Sequence, residues 1–351
     1  MEIDRLLRFY SGKQVLVTGH TGFKGAWLTL WLSMAGAHVV GFAQDPPSNP
    51  ALYYALSLKD RITDVRGDVR NYKTVARIVK RYNPEIIMHL AAQPILLDSY
   101  ESPINTYYTN AFGTLNLLEA ARRNGHVKAI LNVTTDKVYM NKNQMKGYVE
   151  TDSLGGHDPY SSSKACSEMI TNSYRESFFA EIGTGVATAR AGNVLGGGDW
   201  GAKRLVPDMV RLITKKKTIM IRYPKAIRPW NYVLDVLAGY MKLTQLVYEK
   251  PNEYAGGYNF SNPATIKRVD KVVNALIDEW GYGKYELYKS RTYEDKLLLL
   301  DSTKAQRKLG WKPKSNFKKI IKNTVAWYKA YYSKMNMFEY SIEELNRYAD
   351  L

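Results

Sequence analysis

The chain has 351 residues, 45% of them hydrophobic and 24% charged, with a formal net charge of +17. Proportions of this kind build a buried core and exclude a disordered, collagen-like or disulfide-scaffold chain. Cys166 is the single cysteine, so no internal disulfide forms and a reducing, cytoplasmic setting is expected.

The opening MEIDRLLRFYSGK mixes charged and apolar residues too finely for a secretory leader. Residues 13–18 (KQVLVT) read as an apolar strand and residues 24–35 as a helix that is apolar on most faces. Residues 26–43 approach the length of a membrane span, roughly 18 residues. Gly36 interrupts them and a strand at 39–42 follows, so a buried helix and strand are expected, and no membrane contact. After the loop DPPSNP come a strand at 61–66, a helix at 72–82, a strand at 85–90 and a long helix at 104–123. A strand at 129–134, a helix at 160–179 and a strand at 185–189 complete the series. Continuous apolar strands alternating with helices predict an α/β fold, a doubly wound parallel Rossmann-type sheet covered on both faces. Beyond Ala191 the rhythm breaks. Helices are expected at 231–248, 267–279, 303–309 and 317–332, and Ser341 with Glu344 forms a capping box that starts a last short helix. Residues 1–190 read as the nucleotide-binding domain, with 231–258 returning to it. Residues 191–230 and 259–351 read as a smaller, mixed C-terminal cap for the substrate.

Strand 13–18 runs into Gly19-His-Thr-Gly22-Phe-Lys-Gly25 at the start of a helix. Glycines at that junction let backbone N–H groups approach a pyrophosphate at the positive end of the helix. Thr21, Phe23 and Lys24 join Gly19, Gly22 and Gly25 as candidate cofactor contacts. Asp45 follows the second strand, two residues later than a ribose-binding carboxylate usually stands. With no arginine at that point, NAD is favoured over NADP. Asp68 and Val69, and Leu90, Ala91 and Ala92 after the fourth strand, complete the cofactor set.

Tyr160 and Lys164 stand four apart at a helix start and share one face. A tyrosine with a pKa of about 10 is a poor base at neutral pH. A lysine about 4 Å away contributes about 4 kcal/mol in an intermediate dielectric, on the order of three pKa units. Tyr285 and Lys289 repeat the spacing without a strand upstream and read as surface. Thr135, Asp136 and Lys137 lie at the carboxyl end of strand 129–134, where a parallel sheet lines its ligand crevice. A hydroxyl, a carboxylate and an amine side by side suggest proton transfer beyond what hydride transfer needs; a helix cap with a surface ion pair is the plain alternative.

The stretches VTGHTGFKGAWLTLWL, HLAAQP, TNAFGTLNLLEA, TTDKVY, GGHDPYSSSKACSE, RAGNVLGGGDW, RLVPD, AIRPW and EYSIEEL carry a resemblance. The chain resembles the extended short-chain dehydrogenase/reductases, and within them the nucleotide-sugar 4,6-dehydratases, most closely those acting on CDP-glucose. The resemblance implies NAD as cofactor, Tyr160 with Lys164 as base for the C4 hydroxyl, and Thr135 polarising the 4-oxygen. It implies that Asp136 and Lys137 eliminate water across C5 and C6, leaving open which of them removes the C5 proton. Hydride return to C6 would give a 4-keto-6-deoxy sugar. Gln93, Asn193, Arg204, Leu205, Arg222, Arg228, Trp230 and Asn259 are the implied substrate contacts. No metal is expected, and a homodimer or higher homo-oligomer would form on helices flanking the Tyr160–Lys164 element.

The sequence departs from the family at Lys137, where related dehydratases carry Glu. The run Ile95-Leu-Leu-Asp98 stands where an arginine is common, and Lys203 where an Asp is familiar. Asn231-Tyr232 and Tyr293-Glu294 replace Gln-His and His-Glu. A dehydratase of another nucleotide hexose, or a 4-epimerase that needs Tyr160 and Lys164 but not Asp136 and Lys137, is the alternative activity. A non-catalytic RNA- or protein-binding member is the remaining class. Beyond residue 200 there are 29 Lys and Arg against 15 Asp and Glu, which suits an anionic partner, with a lysine-rich solvated surface as the plain alternative. No zinc spacing, RNA-binding aromatic signature or basic zipper accompanies that charge, so nucleic acid is not expected.

Overall fold

Seven strands assemble the central sheet of the computed structural model, which describes residues 2–288 and 295–350. They are β1 (Gln14–Thr18), β2 (His38–Ala43), β3 (Thr63–Arg66), β4 (Ile86–His89), β5 (Ala129–Val133), β6 (Gly185–Ala191) and, much later, β10 (Gly256–Phe260). The sheet order is β10-β6-β5-β4-β1-β2-β3, and every neighbouring pair is parallel. One buried apolar cluster fills each face. Trp27, Trp31, Leu234 and Leu237 lie in one, and Val75, Val79, Leu117 and Leu118 in the other. Strands buried on both sides therefore read as unbroken apolar runs, and the doubly wound sheet is as predicted.

Order reverses between β1 and β4, and at such a switch point the crevice outside the carboxyl ends of the strands receives ligands. The helix Val233–Glu249 leads the chain back to the sheet as β10, beside β6. The short strands β7 (Asn193–Leu195), β9 (Ile227–Tyr232) and β11 (Ile266–Arg268) form a separate mixed sheet. A parallel pair joins β8 (Ile219–Ile221) to β12 (Tyr285–Leu287).

The helix expected at 104–123 is present as a continuous run of Pro103–Tyr107, a π-turn at Tyr108–Phe112, and Gly113–Asn124. That expected at 160–179 is likewise Pro159–Tyr174 running on into a π-turn at Arg175–Phe179. The capping box needs correction. The last helix is Met337–Ala349, capped by Asn336, whose side chain accepts from the amides of Phe338 and Glu339. Ser341 lies inside it, buried, with its Oγ accepting from Trp327 Nε1 at 3.0 Å, and Glu344 accepts from the Tyr232 hydroxyl. Tertiary partners use both residues, so no capping box forms. Helices Glu2–Tyr10 and Leu205–Ile213 were not anticipated. Among the described residues no helix is long and apolar enough to cross a membrane. Lys289, Tyr293 and Glu294 lie outside the described residues.

One buried ion pair seats the helix Pro159–Tyr174 on the sheet. Arg190 of β6 donates from Nε and Nη2 to both oxygens of Glu168, at 2.9 and 2.8 Å. Thr134 and Thr188 donate to the same carboxylate at 2.5 and 2.7 Å. Burial pushes Glu168 up, but the guanidinium and the two hydroxyls outweigh it and hold the carboxyl below its usual range. Removing one partner of a buried pair strands the other charge. Glu168→Ala is therefore expected to lower stability by about 3–5 kcal/mol, read from urea unfolding at neutral pH.

Candidate active site

The turn after β1 is shaped by two glycines. Gly19 has φ +76°, and a Cβ there would stand 2.7 Å from the Ala91 amide nitrogen. A Cβ on Gly25 would lie 2.0 Å from the Gly19 carbonyl oxygen, so only glycine lets the helix start cross the turn. Gly22, by contrast, has only the Gly19 oxygen near it, at 3.5 Å. It opens the helix Phe23–Met34 with no side-chain cap and no acidic residue in the first turn. A positive helix end without its own counter-charge fits a pyrophosphate.

A second layer of residues, which the sequence reading missed, braces this turn. His20 is fully buried, and its Nε2 lies 2.6 Å from Asp64 Oδ1 on β3. Asp64 Oδ2 accepts from the Tyr53 hydroxyl at 2.8 Å and meets Arg66 at 3.2 Å. Burial lowers His20, with Asp64 opposing. Thr21 Oγ1 donates to the Gln44 carbonyl at 3.1 Å. Asp45 is 91% exposed, with Arg66 3.7 Å away. The arginine absent from the end of β2 in the sequence thus arrives from β3, already faced by Asp64 and Asp45. Asp68 accepts from Gln44 Nε2 at 2.9 Å and pairs with Arg70, and Val69 packs against Gly113. The amides of Leu90 and Ala91 both donate to Thr18 Oγ1 at 3.2 Å, and Ala92 is half-buried beside them.

At the carboxyl end of β5 the chain makes a 3-10 turn, Asp136–Val138, with Thr135 as its cap. Thr135 Oγ1 donates to Asp136 Oδ1 at 3.0 Å, and both residues are buried. The helix bearing Tyr160 and Lys164 starts beside this turn. Asp158 caps it by accepting from the Ser161 amide at 2.9 Å, and Pro159 fixes its first residue. Tyr160 is surrounded by Thr135, Asp136, Lys137 and Arg204. Burial raises its phenol, Thr135, Arg204 and Lys137 pull it back, and Asp136 adds to the rise. Lys164 Nζ donates to the Val133 carbonyl at 3.1 Å, and burial together with the neighbouring Lys24 lowers it to about 7. Lys24 is lowered to about 8 by burial and by Arg204, with Asp136 opposing. Its Nζ lies 5.7 Å from the ring of Tyr240, whose buried hydroxyl has no hydrogen-bond partner among the described residues.

Lys137 pairs with Asp295 at 2.6 Å. Arg204 meets Asp199 at 3.1 Å, Leu205 begins the helix that follows, and Arg222 donates to the Lys203 carbonyl at 3.4 Å. Lys203 itself bonds Asp98 at 2.7 Å and Glu101 at 2.8 Å. Asn193 is exposed on β7. Arg228 is 3% exposed and donates to the carbonyls of Ile227 and Asp295.

Three expected substrate contacts have other partners. The Gln93 amide donates to the Ile95 carbonyl and Thr106 and accepts from the Ile95 amide, so it shapes its own turn. Trp230 is 2% exposed with its indole N–H on the Lys267 carbonyl. Asn259, fully buried in β10, accepts from the Tyr139 hydroxyl and donates to the carbonyls of Tyr148 and Asp301. Trp230 and Asn259 are buried and Gln93 is half-buried, each with these polar groups engaged within the protein.

The profile of the family described as GDP-mannose 4,6 dehydratase matches residues 16–324. The chain is 40% identical to a CDP-glucose 4,6-dehydratase of Salmonella typhimurium, over 97% of each chain. It is 28% identical to a dTDP-glucose 4,6-dehydratase of Shigella flexneri, covering 90% of this chain and 93% of that one. Among solved structures, a Streptomyces venezuelae dTDP-glucose 4,6-dehydratase with NAD bound superposes with a TM-score of 0.80 at 24% identity, covering 92% and 99% of the two chains. A UDP-glucose 4-epimerase of Thermotoga maritima gives 0.77 at 24%, covering 91% and 99%. The last two likenesses concern the fold.

The buried state of Lys164 generates a pH test. With a folded pKa of about 7 against an ordinary 10.5, the unfolded chain binds the extra proton between those values. Stability of the cofactor-free protein therefore rises with pH across that window. Relative to Lys164→Met, the native protein is expected to gain on the order of 2 kcal/mol between about pH 7 and 9, measured by urea unfolding. A flat difference would place the amine in its charged form.

Proposed function

The chain belongs to the GDP-mannose 4,6-dehydratase family, and from that premise we propose that it is an NAD-dependent nucleotide-sugar 4,6-dehydratase, a hydro-lyase whose substrate is CDP-glucose. The product would be CDP-4-keto-6-deoxyglucose, with one water released. The observation that carries the reading is the gathering of Thr135, Asp136 and Lys137 around Tyr160. A 4-epimerase needs the tyrosine and Lys164 but has no use for a buried carboxylate and ammonium beside them. The 40% identity over nearly the whole chain favours CDP-glucose among the substrates named for the relatives.

Gly19, Thr21, Gly22, Phe23, Lys24 and Gly25 would hold the pyrophosphate, Asp68 and Val69 the adenosine half, and Leu90 to Ala92 with Tyr160 and Lys164 the nicotinamide half. When bound, NAD supplies a site for the hydride that leaves C4 and a source for the one that arrives at C6. Tyr160 takes the C4 hydroxyl proton, and Thr135 holds the 4-oxygen by a hydrogen bond that strengthens as charge develops there. Asp136 and Lys137 move the protons of the elimination. Arg204, with Arg222 and Asn193, would meet the diphosphate and nucleoside, where a guanidinium's fork matches phosphate oxygens.

A homodimer is part of the reading. Ile104, Tyr108 and Phe112 are 72%, 52% and 49% exposed at four-residue spacing, and Met169 on the adjoining helix Pro159–Tyr174 is 55% exposed. Large apolar side chains clustered on one face are what a second copy would cover.

With NAD present, CDP-glucose is expected to yield a product lighter by one water, read by mass spectrometry against UDP-, GDP- and dTDP-sugars. Tyr160→Phe should cut kcat by about 10³-fold while NAD still binds. Asp136→Asn should accumulate the reduced cofactor's near-ultraviolet absorbance without water loss. Recovery of an epimerised sugar with unchanged mass would overturn the dehydratase assignment. Ile104→Asp with Tyr108→Glu should convert the sedimenting species to a monomer, and an unaltered sedimentation coefficient would rule that face out.

A further inference from the structure

Lys137 and Asp295 are 158 residues apart in sequence, yet Nζ and Oδ2 stand 2.6 Å from each other. Their side chains are only 17% and 9% exposed, so the pair is largely withdrawn from water. Asp295 is fixed at three points. Its other oxygen accepts from Asn141 Nδ2 at 2.6 Å, its carbonyl accepts from Arg228, and its neighbour Lys296 accepts from the Ile227 amide at 3.0 Å. Asn141 also donates to the Leu297 carbonyl at 3.2 Å. The carboxylate is thus stitched to β9 and to the segment that follows the Asp136–Val138 turn, and comes to the ammonium already oriented.

From this arrangement we infer that Asp295 is a positioning residue that holds Lys137 as an ammonium, which makes Lys137 the proton donor to the departing hydroxyl and leaves Asp136 as the base for C5. The inference rests on the dehydratase reading and settles a choice that the residue types leave open. An amine can act as a base only when neutral, and a carboxylate at hydrogen-bond distance in a low dielectric stabilises the charged form. Among the described residues, the charged and titratable groups acting on Lys137 include Asp295, Asp136 on its own turn, Arg228 on β9 and Tyr160 on the adjacent helix. Burial pulls the lysine down, but Asp295 and Asp136 together override it and Arg228, leaving the amine above its usual range. Asp136 is pushed up by burial against Lys137, Thr135 and Arg228, which makes it a stronger base than a free carboxylate.

The elimination then balances. Asp136 takes the C5 proton, and the electron pair of that C–H bond becomes the second bond between C5 and C6. The C6–O bond breaks, and its oxygen leaves with the Lys137 proton as water. Asp136 returns a proton to C5 when C6 is reduced, and Lys137 regains through solvent the proton that Tyr160 took from the C4 hydroxyl.

The test is the holoenzyme with CDP-glucose. Because Lys137 must be protonated to act, rate is lost above its pKa, and removing the Asp295 charge moves that alkaline limb to lower pH. Asp295→Asn is expected to lower kcat about 10–100-fold, keep KM within about twofold, and shift the limb down by about one unit. Asp295→Glu should recover most of the rate. Wild-type kcat with an unmoved limb in the Asn variant overturns the inference. If that variant does not fold, Lys137→Met decides: continued entry of solvent deuterium at C5 with no loss of water supports it, and absence of exchange overturns it. A wild-type enzyme that leaves CDP-glucose intact defeats the dehydratase reading and this inference with it, whereas normal wild-type turnover with an indifferent Asn variant defeats this inference alone.

Discussion

Everything at the site depends on how the helix Pro159–Tyr174 is seated against β5 and β6. Glu168 anchors it through Arg190, Thr134 and Thr188, and Lys164 ties it to the last residue of β5 through the Val133 carbonyl. These contacts hold the tyrosine's helix beside the 3-10 turn. They are also directional. A purely apolar contact would permit the helix to slide by a fraction of a turn, whereas four hydrogen bonds to one buried carboxylate fix both its rotation and its height.

The site concentrates charge in a region that excludes water. Lys24, Lys137, Lys164, Arg204 and Arg228 are set against Asp136, Asp199 and Asp295; the mutual influence shows in the shifts of Lys24, Lys164, Lys137, Arg204, Asp136 and Asp295. That crowding and burial pull Lys24 and Lys164 toward their neutral forms. An anion beside them favours the charged forms, which fits a site that receives diphosphate groups. The remaining positive surplus of the second half is mostly spread over the surface and needs no partner.

Two departures from the family pattern turn out to be neighbours. The run Ile95-Leu-Leu-Asp98 stands where an arginine is common and Lys203 where an Asp is familiar; Lys203 pairs with Asp98 from that run, with Glu101 adding a second carboxylate. Being exposed, the pair adds little stability. It does link the segment after β4 to the loop carrying Arg204.

Local pattern was enough for the strands of the sheet, the glycine turn and the two catalytic clusters, because each rests on spacing within a few residues: apolar runs of strand length, GxxGxxG between strand and helix, Tyr160 four before Lys164. The sequence alone therefore determined the fold class and the residues that stand at the carboxyl ends of β1 and β5. It failed where the deciding partner is remote. Ser341 and Glu344 satisfied a local rule, but Trp327 and Tyr232 took their side chains. Gln93, Trp230 and Asn259 looked available and were bound inward. His20, Asp64 and Asp295 drew no notice because their meaning lies in residues 44 and 158 positions away. Only the tertiary structure brought Asp295 to Lys137. Protonation of a buried group is set by whatever stands within a few ångströms of it, and chain separation carries no information about that distance.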